Sequence, residues 1–329
     1  MTRSGNDNAP SLASAKQGDQ TITRLPSFIA VGPTRTGTTW LHQFLVGSVG
    51  LPANIKETNF FDRDYDKGLS LYAKYFANCP GEKPAGEIAP TYFYNREARE
   101  RIARDIPGCR IIITLRDPVE RQYSLYRLSV WNGRTTVSFA EATEKHWAEI
   151  IDACDYAKYV RLWQATFGEA RVLVVLYDDF VASPQSYISQ ICDFIGIPTI
   201  DVRRAPVAPE QRVHALKQMP RGTAFGRFLR WFFRLGKDRP DKFEAFLHWV
   251  RRHGAQRMVE IAARTSLGKQ LRKVVFTEMP SLDTQTAVRL RTAIGPQIEA
   301  TEALLGRDLS AWKSGTEVNT VRAETKVAT

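Results

Sequence analysis

Residues 28–41 read Phe-Ile-Ala-Val-Gly-Pro-Thr-Arg-Thr-Gly-Thr-Thr-Trp-Leu. An apolar run, Phe28–Val31, passes into a glycine-spaced loop at 32–39. A helical pattern follows, carried by Trp40, Leu41, Phe44 and Leu45. A strand that turns through such a loop into a helix aims backbone N–H groups and the positive end of the helix dipole at one point, which makes an anion cradle. The spacing nearly matches the nucleotide P-loop G-x-x-x-x-G-K-[ST], but Thr38 stands where the lysine belongs. The loop's cation is Arg35, two residues before the second glycine. A P-loop kinase uses its lysine on the β/γ-phosphates and its Ser/Thr on Mg²⁺, whereas a charge moved to Arg35 suits a single anionic group. The alternative is a strand–turn–helix corner that holds no ligand, and the loop alone does not separate the two.

Further strands are expected at Ala53–Ile55, Gly86–Ala89, Arg110–Leu115 and Arg171–Leu176. Helical patterns lie between them, at 38–46, 67–77, 95–105, 118–131, 155–167 and 184–195. Asp117 is the expected N-cap of the fourth, with Pro118 at its first position. Alternation of this kind predicts an α/β fold, a P-loop-like parallel sheet flanked by helices, with ligands at the carboxyl ends of the strands. Beyond Pro198 no further strand is expected. Residues 222–275 read as basic amphipathic helices, and Asp283–Leu305 as one helix stopped by Gly306.

Composition sets the outer bounds. At 329 residues and 43% hydrophobic, the chain suits one large folded domain. The polar, Gly/Ser/Asn-rich start is expected to be a disordered leader over 1–24, and 313–329 a similar tail, which leaves 25–312 as the domain. No stretch approaches the roughly 20 apolar residues of a membrane span. Cys79, Cys109, Cys154 and Cys192 are scattered without metal-ligand or C-x-x-C spacing, which predicts reduced thiols, a cytoplasmic protein and no metal. The net charge of +11 is concentrated: 212–273 holds sixteen Lys/Arg against four acids. This basic subdomain, the helical insert 199–280, is expected to cap the fold or cover an acceptor. Its Phe/Arg helix at 222–236 also suits peripheral contact with an anionic membrane.

Two more stretches carry chemistry. The strand Arg110–Leu115 ends in Arg116-Asp117-Pro118, and Ser124 lies almost two turns into the helix that follows. A fixed guanidinium and a hydroxyl at the ligand edge suit a second phosphate. The alternative is that Arg116 pairs with a neighbouring carboxylate. Lys56-Glu57-Thr58-Asn59-Phe60-Phe61 places a carboxylate, Glu57, near the same edge, a candidate general base backed by aromatics. Read alone, it is a solvated Lys-Glu loop.

Taken together, GPTRTGTTWL, KETNFFDRDYDKGLSLYAKYF, GEIAPTYFYN, IIITLRDPVERQYSLY and the late LLGRDLSAW resemble the carbohydrate-type sulfotransferases, above all the heparan sulfate N- and O-sulfotransferase domains and their bacterial relatives. The likeness covers about residues 26–198 and resumes near 280–312. It implies a donor, 3′-phosphoadenosine 5′-phosphosulfate (PAPS), and a product, adenosine 3′,5′-bisphosphate (PAP). By position, Arg35, Thr36, Gly37, Thr38 and Thr39 would hold the 5′-phosphosulfate, Arg116 and Ser124 the 3′-phosphate, and Glu57 would be the base. The sequence departs from that pattern in three places. Arg35 replaces the family's loop lysine. Ile88 stands where some heparan enzymes carry a substrate-binding lysine, which weighs against a heparan acceptor. The family's late basic loop with paired cysteines is not visible, and Arg212, His214, Lys217 and Arg221 are the candidate substitutes.

The implied reaction is in-line transfer of a sulfuryl group to a hydroxyl or amine, by positioning and electrostatics. A sulfuryl group carries less charge than a γ-phosphoryl group, so Mg²⁺ is not needed. Two other readings compete. A P-loop-like kinase or NTPase has the right fold but the wrong lysine position. A nucleic-acid-binding protein would use the basic segment, which lacks a helix-turn-helix, zinc or RNP pattern, so no nucleic-acid partner is expected.

Overall fold

The computed structural model of the chain describes residues 24–131, 134–135, 137–204, 218–220, 276–278 and 282–315. Four parallel strands, β1 (Phe28–Ala30), β2 (Gly86–Ile88), β3 (Arg110–Leu115) and β4 (Val172–Leu176), lie in the order β2-β1-β3-β4. Every β1 residue is fully buried, because the strand is paired on both edges and covered on both faces. Side chains alternate across the sheet. Ile29, Ile111 and Ile113 face one core with Phe60, Phe61, Tyr72 and Trp163. Phe28, Ala30 and Ile112 face the other with Trp40, Leu41 and Phe44.

The helices are α1 (Thr38–Leu45), α2 (Leu69–Lys74), α3 (Arg96–Asp105), α4 (Pro118–Trp131), α5 (Phe139–Lys145), α6 (Trp147–Cys154), α7 (Tyr156–Phe167), α8 (Tyr177–Ala182), α9 (Pro184–Ile195), α10 (Thr284–Ala293), α11 (Gly295–Leu305) and α12 (Ser310–Ser314). Asp117 caps α4 as expected: its Oδ1 accepts from Val119 N at 2.8 Å and Glu120 N at 3.1 Å. Its other oxygen holds Arg291 of α10 at 2.7 Å in a largely buried ion pair. Arg307 grips Asp179 with two hydrogen bonds, and Trp312 Nε1 donates to Asp178 at 2.5 Å. The last helices are thereby fastened to the segments that leave the carboxyl ends of β3 and β4.

Three expectations are corrected. Residues 53–55 form no strand: 53–54 are a turn, because Asn54 is left-handed (φ 63°) and Pro52 has no N–H to donate. The edge of β2 is met by Gly50 instead, which accepts from Gly86 N and donates to the Pro84 carbonyl. Asp283–Leu305 is two helices, broken at Ile294–Gly295, with Pro296 in the first turn of α11. Strands do continue beyond Pro198: β5 (Gln218–Pro220) and β6 (Phe276–Glu278) form an antiparallel pair, with β5 beside α4. The pairing brings together the two ends of the segment 221–275. That segment, with Arg212, His214, Lys217 and Arg221, and most of the expected leader 1–24 and tail 313–329 (residues 1–23 and 316–329), lies outside the described residues.

Candidate active site

The 32–37 loop is shaped by close backbone approach. A Cβ on Gly32 would lie 2.4 Å from Thr114 N and 2.7 Å from Thr114 O, so only glycine lets β1 turn this close to β3. Thr36 is fully buried. Its hydroxyl donates to Pro33 O at 2.7 Å and so accepts from Thr114 Oγ1 at 2.6 Å. The Thr36 side chain therefore braces the loop, and only its backbone faces a ligand role. Gly37 is left-handed (φ 94°) and is the N-cap of α1, with no side-chain cap. The first N–H groups of α1, from Thr38 and Thr39, lack partners within the helix by geometry alone.

Arg35, also left-handed (φ 76°), turns its side chain across the sheet edge to α4, where its Nε donates to Ser124 Oγ at 2.9 Å. Burial pulls the Arg35 guanidinium below its ordinary pKa, and Arg116 and then Arg127 add to the pull. Arg116 and Arg127 are thus within electrostatic range of Arg35. Arg116 is paired with a carboxylate, as the alternative reading held, but loosely: Glu120 lies 3.5 Å away, and the guanidinium sits 4.9 Å over the Tyr177 ring. The same ring also meets Gly37, whose added Cβ would lie 3.2 Å from it. Tyr177, the first residue after β4, thus links the loop to Arg116.

Glu57 is held by its own chain neighbour. Its Oε1 pairs with Lys56 Nζ at 2.5 Å, and both side chains are a little over a quarter exposed (29% and 28%). His42, in the second turn of α1, lies within electrostatic range of both. Burial lowers its pKa, Lys56 lowers it further, and Glu57 acts the other way. A groove of about 460 Å³ along this flank is lined by His42, Val46, Ile55 and Lys56 among others. α1 is accordingly the shared wall. Its N-terminal loop meets Ser124, and its second turn faces Lys56 and Glu57.

Behind Glu57 the chain is built around Glu87 of β2, which is fully buried. Its Oε1 accepts from Thr58 N at 2.9 Å and Thr58 Oγ1 at 2.5 Å, and its Oε2 from Tyr72 OH at 2.7 Å. Burial pushes the Glu87 carboxyl up, against these hydrogen bonds. Asn59 is left-handed, and a π-turn follows at Phe60–Asp64.

Sequence reasoning placed Arg35, Arg116, Ser124 and Glu57 at this edge. It gave no role to His42, Glu87, Arg127 or Tyr177. Arg127 had a signal, lying three residues after Ser124 on one helix face. Tyr177 had another, as the first residue past the last strand. Among the described residues, no group of three or more His, Cys, Asp or Glu side chains could hold a metal ion, and no helix is long and apolar enough to cross a membrane.

Comparison with known proteins gives a consistent assignment. Residues 25–219 match the family described as sulfotransferase domain. The chain is 30% identical over 190 residues to heparan sulfate glucosamine 3-O-sulfotransferase 3A1 of Homo sapiens, covering 55% of this chain and 47% of that protein. It is 28% identical over 202 residues to bifunctional heparan sulfate N-deacetylase/N-sulfotransferase 4 of Mus musculus, covering 54% of this chain and 23% of that protein. The chain thus spans about half the length of the first relative (47%) and less of the second. A sulfotransferase structure from Alicyclobacillus acidocaldarius shares the fold, with a TM-score of 0.58 at 21% identity over 88% of this chain and 100% of that one. These likenesses do not favour a kinase or NTPase. With residues 25–219 covering more than half of its length, the chain belongs to the sulfotransferase-domain family.

Proposed function

We propose that the protein transfers a sulfuryl group from PAPS to a hydroxyl or amine of its acceptor and releases PAP. The observation that carries this reading is the 2.9 Å bond from Arg35 to Ser124. It joins the glycine loop to the helix after Arg116, on the ligand edge of a parallel sheet, in a chain of this family. In this reading the N–H groups of 36–39 and Arg35 hold the 5′-phosphosulfate, and Arg116 and Ser124 hold the 3′-phosphate. The residues fit such a donor: the cradle admits no Cβ at Gly32, and its own cation, Arg35, lies within electrostatic range of two further guanidinium groups.

Glu57 receives the acceptor proton on Oε2, since Oε1 pairs with Lys56. The acceptor oxygen or nitrogen bonds to sulfur, the bond from sulfur to the phosphate oxygen breaks, and its electron pair leaves on that oxygen. Arg35 and the loop N–H groups stabilise the charge that develops there. Arginine does this without giving up a proton. A reducing, cytoplasmic setting accords with the scattered, free cysteines, three of them buried.

Two measurements test the reading. PAP should raise the thermal midpoint in proportion to its affinity, while ATP with Mg²⁺ should not. Labelled donor incubated with extract of the source organism should yield a labelled acceptor, glycan, lipid or small metabolite. A shift with ATP–Mg²⁺ and none with PAP would overturn it.

A further inference from the structure

We propose that Glu87 is the positioning residue for the base: its buried carboxylate clamps Thr58 and so sets where Glu57 stands. This rests on the reading of Glu57 as the base.

Glu87 lies mid-strand in β2, in register with Ile29, on the sheet face lined by Phe60, Phe61 and Tyr72. A carboxylate there is costly, and an apolar side chain of similar volume would fill the space without that cost. An apolar side chain could not hold the backbone of the next loop. Glu87 takes both the N–H and the hydroxyl of Thr58 on one oxygen. The held Thr58 hydroxyl in turn accepts from Phe60 N at 3.2 Å. Tyr92 OH accepts from Phe61 N at 3.3 Å. Phe60 stacks on Tyr72 with ring centroids 4.7 Å apart, and Tyr72 OH returns to Glu87. Residues 58, 60 and 61 are therefore fixed from inside the core. Glu57 is one peptide bond from the clamp and projects from its outer end. Fixing the Thr58 amide fixes the plane of the Glu57–Thr58 peptide, and with it the direction in which the Glu57 side chain leaves the chain. A displacement of about 1 Å in a reacting group costs on the order of 10²-fold in rate, so such a clamp governs turnover while touching no substrate.

The test uses Glu87→Gln, Thr58→Val and Thr58→Ser in the full-length protein, each also combined with Glu57→Gln. Three quantities are read: amide exchange over 57–61 with PAP bound, PAP affinity, and passage of the labelled sulfuryl group from PAPS to water, the one acceptor always present. Glu87→Gln and Thr58→Val should speed exchange at 57–61 by about 10-fold or more and slow transfer by about 10-fold, with PAP affinity kept within about twofold. Thr58→Ser, which keeps the hydroxyl, should restore both. In the Glu57→Gln background Glu87→Gln should cost nothing further, because the two act through one group. Thr58→Val keeps the test alive if Glu87→Gln fails to fold. Unchanged exchange in both variants, a parallel loss of PAP affinity, or losses that add to that of Glu57→Gln would overturn the proposal. Wild-type transfer by Glu57→Gln alone would instead remove the base reading, and exchange would still judge the clamp.

Discussion

The loop at 32–39 and the loop at 56–61 are built in opposite ways. The first is shaped by backbone: Gly32 pressed on Thr114, Gly37 left-handed on Tyr177, and one internal hydroxyl, Thr36. Its charges, Arg35 with Arg116 and Arg127 nearby, are crowded cations that an anion would relieve. The second is shaped by side chains around a buried acid, Glu87, and its working charge is already paired, Glu57 with Lys56. A loop built from backbone can hold a ligand whose charge is fixed. A loop built on a buried network can hold one group in one place, as proton transfer requires.

Removing the developing-charge contact should have the largest effect. Arg35→Ala is expected to slow transfer by about 10²–10³-fold, the scale of losing one preorganised donor to an oxyanion, and to change PAP affinity far less. Arg35→Lys should recover much of the rate. Single-turnover transfer alongside PAP titration checks this. If Arg35→Ala weakens PAP as much as it slows transfer, the first loop is a ground-state clamp and the contrast with the second loses half its content.

Glu57→Gln should cost about 10²-fold in turnover, roughly 2.7 kcal/mol in the barrier, with PAP affinity nearly intact. Turnover near the wild-type value would move the base elsewhere, with His42 beside it the first residue to examine.

Arg116→Ala should weaken PAP by roughly 1.5–3 kcal/mol, the scale of a charge-assisted hydrogen bond, because the loose Glu120 pair offers little competition. The loss should vanish for adenosine 5′-monophosphate, which lacks the 3′-phosphate. Equal losses for the two nucleotides would place Arg116 elsewhere on the donor.

The contrast also explains which parts of the molecule could be read from the sequence. The glycine loop and Arg116-Asp117-Pro118 were legible because their signals are local: a strand end, a glycine spacing, an N-cap one residue before proline. The second loop shows only its outer charges, Lys56 and Glu57. Its anchor is 29 residues away from Thr58, and nothing in Gly86-Glu87-Ile88 marks the acid as buried. The same blindness to distant partners made 53–55 look like a strand, when the pairing at that edge belongs to Gly50. The break at Ile294–Gly295 was visible as Gly295-Pro296 but was overridden by helical periodicity on both sides. Residues 212–273 carry the chain's excess charge, yet their composition fixes neither a partner nor a fold.

The smallest expected effect tests the backbone-built loop itself. Gly32→Ala adds a Cβ that would lie 2.3 Å from Thr114 Oγ1 and 2.4 Å from Thr114 N. The hydroxyl could rotate, but the backbone nitrogen belongs to central strand β3, whose pairing with β1 and β4 holds it in place. The loop must therefore lift away from the sheet. Overpacking of this kind costs about 1–3 kcal/mol, read from the denaturant midpoint at unchanged slope. Lifting also breaks the hydrogen bond between Thr36 and Thr114, so PAP affinity should fall with stability although Gly32 need not touch the ligand. Gly81→Ala, where a Cβ meets nothing within 4 Å, is the control and should change neither. Stability lost at Gly32 with PAP affinity retained would mean that the cradle is held by α1 and Arg35, and not by its close fit on β3.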